Sequence, residues 1–347
     1  MARTRPGSQS VTLVAAALMV GLWGCGGAST TALKPVAVSP APGGIPGYRE
    51  LAAVSLPGPT YRWDYQAFDP ASARLYLADL GQNQVVVFDT RTQSVEAIVP
   101  GVASVHGIAL APDLNLALAT AAPDNSVVAI DTRTLSVVGT VPVGLAPNGI
   151  AYAPSAQRFF VTDGAGLGDT VVATSPLRAT GRVTLGTGIG NTIFDPSSGL
   201  IFVSLGNQQE LVAVDPKSQS VTRRYRLPGC NWPHGIAVDR GRAFIACAFN
   251  SKLKVLDLAT GRVTQTLDTG TGPDVVALDA ALHRLYVASD SGRLGVFDVG
   301  SARVRRLSLA FVGSDAHSVG VDTTSHYVFL PLPSASGPSR LLRFVPD

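Results

Sequence analysis

The stretch Trp232-Pro233-His234-Gly235-Ile236-Ala237-Val238-Asp239 sets the pattern of this chain, because altered copies of it recur through most of the sequence. Seven copies align on the residue that closes the apolar run. These closing residues are Asp69, Ala111, Ala153, Asp195, Asp239, Asp279 and Asp322, at spacings of 42, 42, 42, 44, 40 and 43 residues. A regular period of this length indicates a repeat protein.

Each copy contains four short segments rich in Val, Ile, Phe and Tyr and bounded by Gly, Pro, Asp and Ser. After the inner stretch comes a run that begins with Arg, such as 284–288, and then one that ends on Asp, such as 85–89. The fourth segment is more polar, as in 136–141. These segments predict strands, and none has a helical period of useful length. Four strands in each of seven copies predict an all-β, seven-bladed β-propeller of four-stranded blades.

The ends of the chain suggest how the ring closes. The seventh copy supplies three strands, the last at 341–344, and then the chain stops. Residues 51–56 precede the first copy and resemble a fourth strand. We therefore expect this N-terminal strand to complete the last blade and leave no unpaired edge between the first and last blades.

Three recurrent motifs resemble those of the YVTN-repeat β-propellers, and among them the YncE-like proteins. They are the D-T-x-T turn at 89–92 and 131–134, the Pro-x-Gly-Ile-Ala entry at 147–151 and 233–237, and the R-x-[YF]-V run at 158–161 and 284–287. The resemblance covers roughly residues 50 to 345. It implies the fold and says little about function, because this scaffold serves many purposes.

The first residues have the features of an export signal. Arg3 and Arg5 precede an apolar run that ends in Leu22-Trp23-Gly24-Cys25. This ending resembles the lipobox of bacterial lipoproteins, which implies that Cys25 is lipidated and becomes the new N-terminus. The alternatives are an ordinary signal peptide or an uncleaved anchor. Because Gly26 is not a retention-type aspartate, the resemblance favours the outer membrane.

The export signal and the repeats together divide the chain into three segments. Residues 1–24 are expected to form the lipoprotein signal peptide, 25–48 a flexible tether and 49–347 the propeller. Of the 27 basic residues, Arg3 and Arg5 are lost with the signal, which leaves 25 against 24 acidic residues and a net charge of +1. This balance gives no electrostatic support for nucleic-acid binding. The expected protein is an exported monomer that meets the membrane through its lipid.

Two further cysteines lie close to one inner strand. Cys230 precedes His234, and Cys247 ends the next predicted strand, so that antiparallel pairing places His234 beside Cys247. In an exported protein this arrangement favours a disulfide. Thiolate metal ligation next to His234 is the alternative.

One position of the repeat carries polar side chains of the kind that bind metals or take part in catalysis. It lies five residues before the closing residue, where the inner strand is expected to begin. We call these seven positions the slot: Asp64, His106, Asn148, Gly190, His234, Asp274 and His317. Three of the chain's five histidines occupy it. Since inner strands surround the central channel, the slot should form a ring at one channel mouth, with imidazole and carboxylate alternating from His234 to His106.

The slot has two interpretations. In the first, His106, His234 and His317 bind one divalent metal, with Asp64 and Asp274 as ligands or as acceptors that orient the imidazoles. Three imidazoles favour zinc or copper, whereas the carboxylates and amides would suit a harder ion such as calcium. In the second, the channel is polar and filled with water, and the Asp and His side chains satisfy one another.

Other polar and aromatic residues extend the expected ligand site. Asn148 occupies the third slot, and Asn191 follows Gly190 and could replace it. Trp63 and Trp232 lie beside slot residues, where they would either stack on an apolar or sugar-like ligand or plug the gap between blades.

Two functions are compatible with this sequence. The first is a lipid-anchored module that binds a small ligand or a protein at the channel mouth. The second is a metal-dependent hydrolase or lyase with Asp64 or Asp274 as the general base. The motifs of serine hydrolases, H-E-x-x-H metalloproteases and P-loop proteins are absent.

Overall fold

The computed structural model describes Ile45 and residues 47–347, where nearly all regular structure is β-strand. The predicted signal peptide, Cys25 and most of the tether lie outside this part. Three single-turn 3-10 helices interrupt the strands, at Leu80–Gln82, Pro112–Leu114 and Pro154–Ala156. No helix among the described residues has the length and apolar character needed to cross a bilayer.

Seven four-stranded antiparallel sheets form a ring, which confirms the predicted seven-bladed β-propeller. Blade 1 contains β2 to β5: Gln66–Asp69, Arg74–Asp79, Gln84–Asp89 and Ser94–Pro100. Blade 2 contains β6 to β9: Val105–Ala111, Leu116–Ala121, Ser126–Asp131 and Ser136–Pro142. Blade 3 contains β10 to β13: Pro147–Ala153, Arg158–Asp163, Gly168–Thr174 and Leu177–Thr184. Blade 4 contains β14 to β17: Ile189–Asp195, Leu200–Leu205, Glu210–Asp215 and Ser220–Arg226.

The remaining blades follow the same order. Blade 5 contains β18 to β21: Pro233–Asp239, Arg242–Cys247, Lys252–Asp257 and Arg262–Asp268. Blade 6 contains β22 to β25: Pro273–Asp279, Arg284–Ser289, Arg293–Asp298 and Arg305–Phe311. Blade 7 contains β26 to β28, Gly320–Asp322, Tyr327–Leu332 and Ser339–Pro346, and its outer strand is β1, Tyr48–Leu56. β1 runs antiparallel to β28, with Leu56 opposite Ser339.

The hydrophobic core lies between neighbouring blades. The middle strands bury side chains on both faces, so that Phe159 packs towards blade 2 and Phe160 towards blade 4. This explains why the middle segments are apolar at every position and do not alternate. Blades 7 and 1 share such a cluster as well, in which Trp63 and Phe88 pack with Phe329.

Neighbouring inner strands approach each other closely at the channel, which explains the glycine of the Pro-x-Gly motif. A Cβ atom on Gly107 would lie 2.4 Å from the carbonyl oxygen of Asn148, and one on Gly235 would lie 2.0 Å from that of Asp274. Both contacts are with the backbone of the next blade. A side chain here would therefore force neighbouring blades apart.

Hydroxyl groups join the inner strands at the same level. The Gly107 N–H donates to Thr120 Oγ1 (2.8 Å), and this hydroxyl donates to the Asn148 carbonyl in blade 3 (3.0 Å). Ser204 makes the same link, since its hydroxyl donates to the His234 carbonyl in blade 5 (2.7 Å). Each hydroxyl satisfies backbone groups of two blades that the sheets leave unpaired.

The aspartate that ends many third strands folds the following turn. Asp131 Oδ1 accepts the N–H groups of Arg133 (2.8 Å) and Thr134 (3.1 Å), and Asp89 does the same for Arg91 and Thr92. These are Asx turns, in which the carboxylate takes the place of a backbone acceptor. The D-T-x-T motif is thus a turn motif without a direct role at the channel.

We predict that Gly235→Ala lowers the free energy of unfolding by about 1–3 kcal/mol, because the added Cβ would overlap the Asp274 carbonyl and the backbones must separate. Gly139→Ala in β9 is the matched control, since a Cβ there meets nothing within 4 Å. This control should leave stability unchanged or raise it slightly. Urea unfolding followed by circular dichroism measures both, and equal effects would contradict the role of Gly235.

Candidate functional site

A β-bulge aims the slot side chains at the channel mouth. In blades 2 to 6 the pairing of the first two strands shifts register where the inner strand begins, for example between Pro233 and Ile236. The slot residue lies within this shift, where a bulge redirects the side chain out of the regular alternation. In blades 1 and 7 the slot residues Asp64 and His317 precede β2 and β26, so they are not the first residues of strands as the sequence suggested.

His106 and Asp64 form a pair between blades 2 and 1. His106 Nδ1 lies 2.6 Å from Asp64 Oδ2, and the Asp64 side chain is almost fully buried. The carboxylate fixes the orientation of the imidazole, as the alternating pattern predicted.

His234 and Asp274 form the second pair, between blades 5 and 6. Their Nδ1 and Oδ1 atoms are 2.9 Å apart, although this Oδ1 has no partner with hydrogen-bond geometry in the described chain. Burial alone would lower the pKa of His234, but the nearby Asp274 carboxylate outweighs burial and raises it. Burial likewise opposes ionisation of Asp274, yet His234, His317 and Arg62 hold its pKa well below the usual range. A carboxylate with so low a pKa is a weak base, and the role of Asp64 or Asp274 as general base stays a prediction.

Arg62 is the central cation of the mouth. Its guanidinium reaches from blade 1 to Asp274 Oδ2 (3.0 Å) and Asp290 Oδ1 (3.4 Å), and lies 3.9 Å from Asp315 Oδ1. With Asp64, the partner of His106, the mouth contains four carboxylates against one arginine and three imidazoles. The mouth favours cations.

His317 is completely buried and belongs to a separate group. Its Nδ1 lies 3.3 Å from the Asp315 carbonyl and 3.5 Å from Asp315 Oδ1, while its Nε2 has no hydrogen-bond partner among the described residues. Burial would lower the pKa of His317, but Asp315 and Asp274 raise it. Ligand atoms of Asp290, Asp315 and His317 all lie within 4.8 Å of one another, close enough for a metal to draw them together. We call these three residues the acidic triad.

The structure does not gather the predicted metal ligands into one group. Among the described residues, only those of the acidic triad bring three ligand atoms within 4.8 Å of one another, and of the predicted ligands the triad includes only His317. His106 and His234 are instead engaged by Asp64 and Asp274. Two imidazoles, those of His106 and His234, thus pair with the carboxylate of an adjacent blade, whereas His317 lies nearest Asp315 of its own segment.

The other predicted ligand-binding residues have different environments. Trp63 is 1% exposed and packs between blades 1 and 7, so it plugs the gap between blades. Asn191 is buried and its Oδ1 accepts the N–H of Thr192 (2.8 Å). Asn148 is partly exposed, with an Oδ1 that has no partner in the described chain.

Trp232 forms an aromatic wall with a residue that the sequence analysis missed. Its ring stacks on Phe249, which is 66% exposed, with centroids 5.2 Å apart. The two rings line a cavity of about 180 Å³ together with His234, Asp274 and Asp290. This mouth pocket combines an aromatic wall with carboxylates, which suits a cationic or sugar-like ligand.

A disulfide between Cys230 and Cys247 lies next to this wall, with Cα atoms 5.1 Å apart. Pro233, not His234, pairs with Cys247, so the expected register was wrong by one residue. The bridge ties the segment before β18 to the end of β19. It thereby holds Trp232 close to Phe249.

Tyr65 crosses the channel below the ring. Its hydroxyl lies 3.3 Å from His234 Nδ1, although the two residues belong to blades 1 and 5. Arg62, Tyr65, Asp290 and Asp315 carry no signal at the repeated slot, because they reach the mouth from segments and loops outside it. The only signal in the sequence that could have indicated any of them is the proximity of Arg62 and Tyr65 to Asp64.

The His234–Asp274 pair predicts a specific pH dependence. Because the pKa of His234 is higher in the folded than in the unfolded protein, protonated His234 stabilises the fold below about pH 6.5. This contribution is lost as the pH rises through the pKa of His234 in the folded protein. Because the pKa of Asp274 is lower in the folded than in the unfolded protein, ionised Asp274 stabilises the fold above about pH 3.8. This stabilisation is lost when the protein is acidified. The wild-type advantage over Asp274→Asn in unfolding free energy should therefore be greatest between these values. Chemical unfolding at pH 5, 6.5 and 8 measures it, and a constant difference would contradict the pairing.

Comparisons with known proteins support the architecture alone. No protein-family model matches the chain, and no curated protein is a significant relative. By contrast, 1689 chains of solved structures match, as expected for a widely used scaffold. One of them, the hydrazine synthase of Kuenenia stuttgartiensis, superposes with a TM-score of 0.66 at 15% identity, covering 80% of this chain and 94% of that chain. At this identity the similarity establishes a shared β-propeller fold.

Proposed function

We propose that the protein is a lipid-anchored, extracytoplasmic β-propeller that binds a ligand at its channel mouth and holds a divalent cation there. The observation that carries the proposal is the acidic triad, whose ligand atoms lie within 4.8 Å of one another. A propeller suits this role, because its loops and inner strands bring side chains from distant repeats to one face.

The charge distribution supports a cation. The mouth contains four carboxylates, and Arg62 is the cation that contacts three of them. Its closest contact is with Asp274, outside the triad. A metal ion would compete with Arg62 for Asp290 and Asp315, while the 3.0 Å contact with Asp274 would keep the guanidinium at the mouth.

The donor set defines the class of ion. Two carboxylates and one imidazole suit zinc or manganese better than copper, since copper prefers more nitrogen or sulfur donors. Tetrahedral binding of zinc at about 2.0–2.1 Å would bring the three donor atoms to about 3.4 Å from one another. Side-chain rotation of the exposed Asp290 could supply most of this movement.

The mouth pocket supplies the organic half of the proposed site. Trp232 and Phe249 offer an apolar surface beside Asp274 and Asp290. A ligand with a flat or sugar-like apolar face and a group that meets the cation or the carboxylates would use both features. The ligand is thus a small molecule or an exposed side chain of a partner protein.

A metal-dependent hydrolase or lyase is the second candidate. The observation that favours it is that the segments of the two groups are in contact, since Ser318, next to His317 of the acidic triad, donates its hydroxyl to the carbonyl of Asp64, the partner of His106. A bound metal would polarise a substrate oxygen or a water molecule. His106, oriented by Asp64, would then be the available proton acceptor, in place of Asp274.

We also propose where the protein is located and which propellers it is related to. The lipobox-like segment ending at Cys25 supports export and anchoring at the outer membrane, and the near-neutral mature charge argues against nucleic-acid partners. We propose a monomer, held by its lipid and the tether of residues 25–48. The YVTN-like motifs support a place among the YncE-like propellers.

Isothermal titration with Zn²⁺ and Mn²⁺ tests the cation site on full-length protein purified without a histidine tag. We expect one ion per chain, and Asp290→Asn should weaken binding at least tenfold because a ligand is lost. Asp124→Asn is the matched control, since Asp124 occupies the corresponding exposed loop between the second and third strands of blade 2. Absence of binding, or equal affinity of both variants, would refute the site.

Turnover distinguishes the two candidate functions. If the metal-bound protein hydrolyses activated ester or phosphoester substrates and His106→Gln abolishes this activity, the enzyme is favoured. Metal binding without such turnover favours the binding module.

Metabolic labelling with radioactive palmitate tests the anchor in bacterial cells. The wild-type chain should incorporate the label and fractionate with membranes, whereas Cys25→Ser should incorporate none, because it lacks the acceptor thiol. Label retained in Cys25→Ser would contradict lipidation at this residue.

A further inference from the structure

The central channel below Tyr65 is lined by aliphatic and aromatic side chains together with polar backbone groups and the side chains of Gln66 and Asn191. It encloses a cavity of about 350 Å³. Two positions of each inner strand contribute most of these side chains. The first is one residue before the closing residue and is occupied by Phe68, Leu110, Tyr152, Phe194, Leu278 and Val321. The second is three residues before the closing residue and includes Ile108, Ile150, Ile236, Val276 and Val319.

This cavity has the chemical character of a ligand site. None of the residues that line it is Asp, Glu, Lys, Arg or His. Leu110, Phe194 and Leu278 stay partly exposed, although they face the centre of the molecule. Its volume lies within the range of small-molecule pockets, about 300–1,000 Å³.

Tyr65 separates the cavity from the charged mouth. It lines the cavity, and its hydroxyl reaches His234 on the opposite side of the ring (3.3 Å) while the two rings stack with centroids 6.4 Å apart. From the slot to the closing residue an inner strand advances five residues, or about 16 Å. The cavity thus extends from Tyr65 towards the face opposite the mouth.

We propose that this channel binds one uncharged small molecule that combines an apolar part, such as an aromatic ring or a short acyl chain, with a polar group, and that the molecule enters from the face opposite the slot. Because no charged residue lines the cavity, an ionic group of a ligand would find no side chain of opposite charge there. The polar side chains of Gln66 and Asn191 lie near Tyr65 in the sequence of the inner strands, where they would meet one uncharged polar group of the ligand. This site is separate from the cation site at the mouth.

The neutral fluorescent probe N-phenyl-1-naphthylamine tests the proposal on the full-length protein. We expect saturable fluorescence enhancement with wild type and at least tenfold weaker binding by Leu110→Gln/Leu278→Gln, which makes the lining polar. Val137→Gln is the matched control, because Val137 is 46% exposed on the outer strand β9. Partition of the probe into detergent is common to all variants and cancels in the comparison.

A second variant guards against misfolding of the first. Phe194→Trp keeps the channel apolar but fills it, and should also weaken probe binding, with the fold checked by circular dichroism. Asp290→Asn should bind the probe like wild type, so that the channel and mouth sites can fail independently. The proposal is wrong if wild type shows no saturable binding, or if both channel variants and Val137→Gln bind equally.

Discussion

The close approach of neighbouring inner strands at the channel is the constraint on which the rest of the structure depends. Gly107 and Gly235 allow a backbone carbonyl of the next blade to occupy the space of a side chain. The hydroxyls of Thr120 and Ser204 then join the strands by hydrogen bonds. This spacing determines the width of the channel and hence the distances between slot residues. It also explains why His106 and His234 each meet a carboxylate of an adjacent blade, whereas the three imidazoles do not converge on one point.

The mouth is an unequal ring of charge. Blades 1, 2, 5, 6 and 7 supply its ionisable groups, while blades 3 and 4 supply Asn148 and Asn191. Arg62 lies among Asp274, Asp290 and Asp315, where it offsets part of their repulsion without neutralising them. The same arginine that stabilises the free protein would therefore compete with any cation for two of its ligands. On the other side of Tyr65 the channel has no ionisable lining residue except tyrosine.

The architecture could be predicted because the same pattern of four strand segments recurs seven times, so that a weak signal in one copy is supported by the other six. The slot could be predicted for the same reason, as the His106–Asp64 and His234–Asp274 pairs show. The acidic triad could not, because Asp290 and Asp315 lie outside the slot. The contact between Arg62 and Asp290 spans 228 residues and leaves no periodic signal. The aliphatic and aromatic side chains inside the channel were also missed, although such residues recur in every copy, because the sequence does not show which face of an inner strand meets the axis.

The cluster shared by the first and last blades has a consequence for how the fold is lost. A linear stack of repeats can fray, since a terminal unit has a single neighbour and can detach alone. Here Trp63 and Phe88 of blade 1 pack with Phe329 of blade 7, so every blade has two neighbours. The ring has no free end at which unfolding can start without breaking two interfaces. A mouth assembled from five blades therefore exists only while the whole ring is intact.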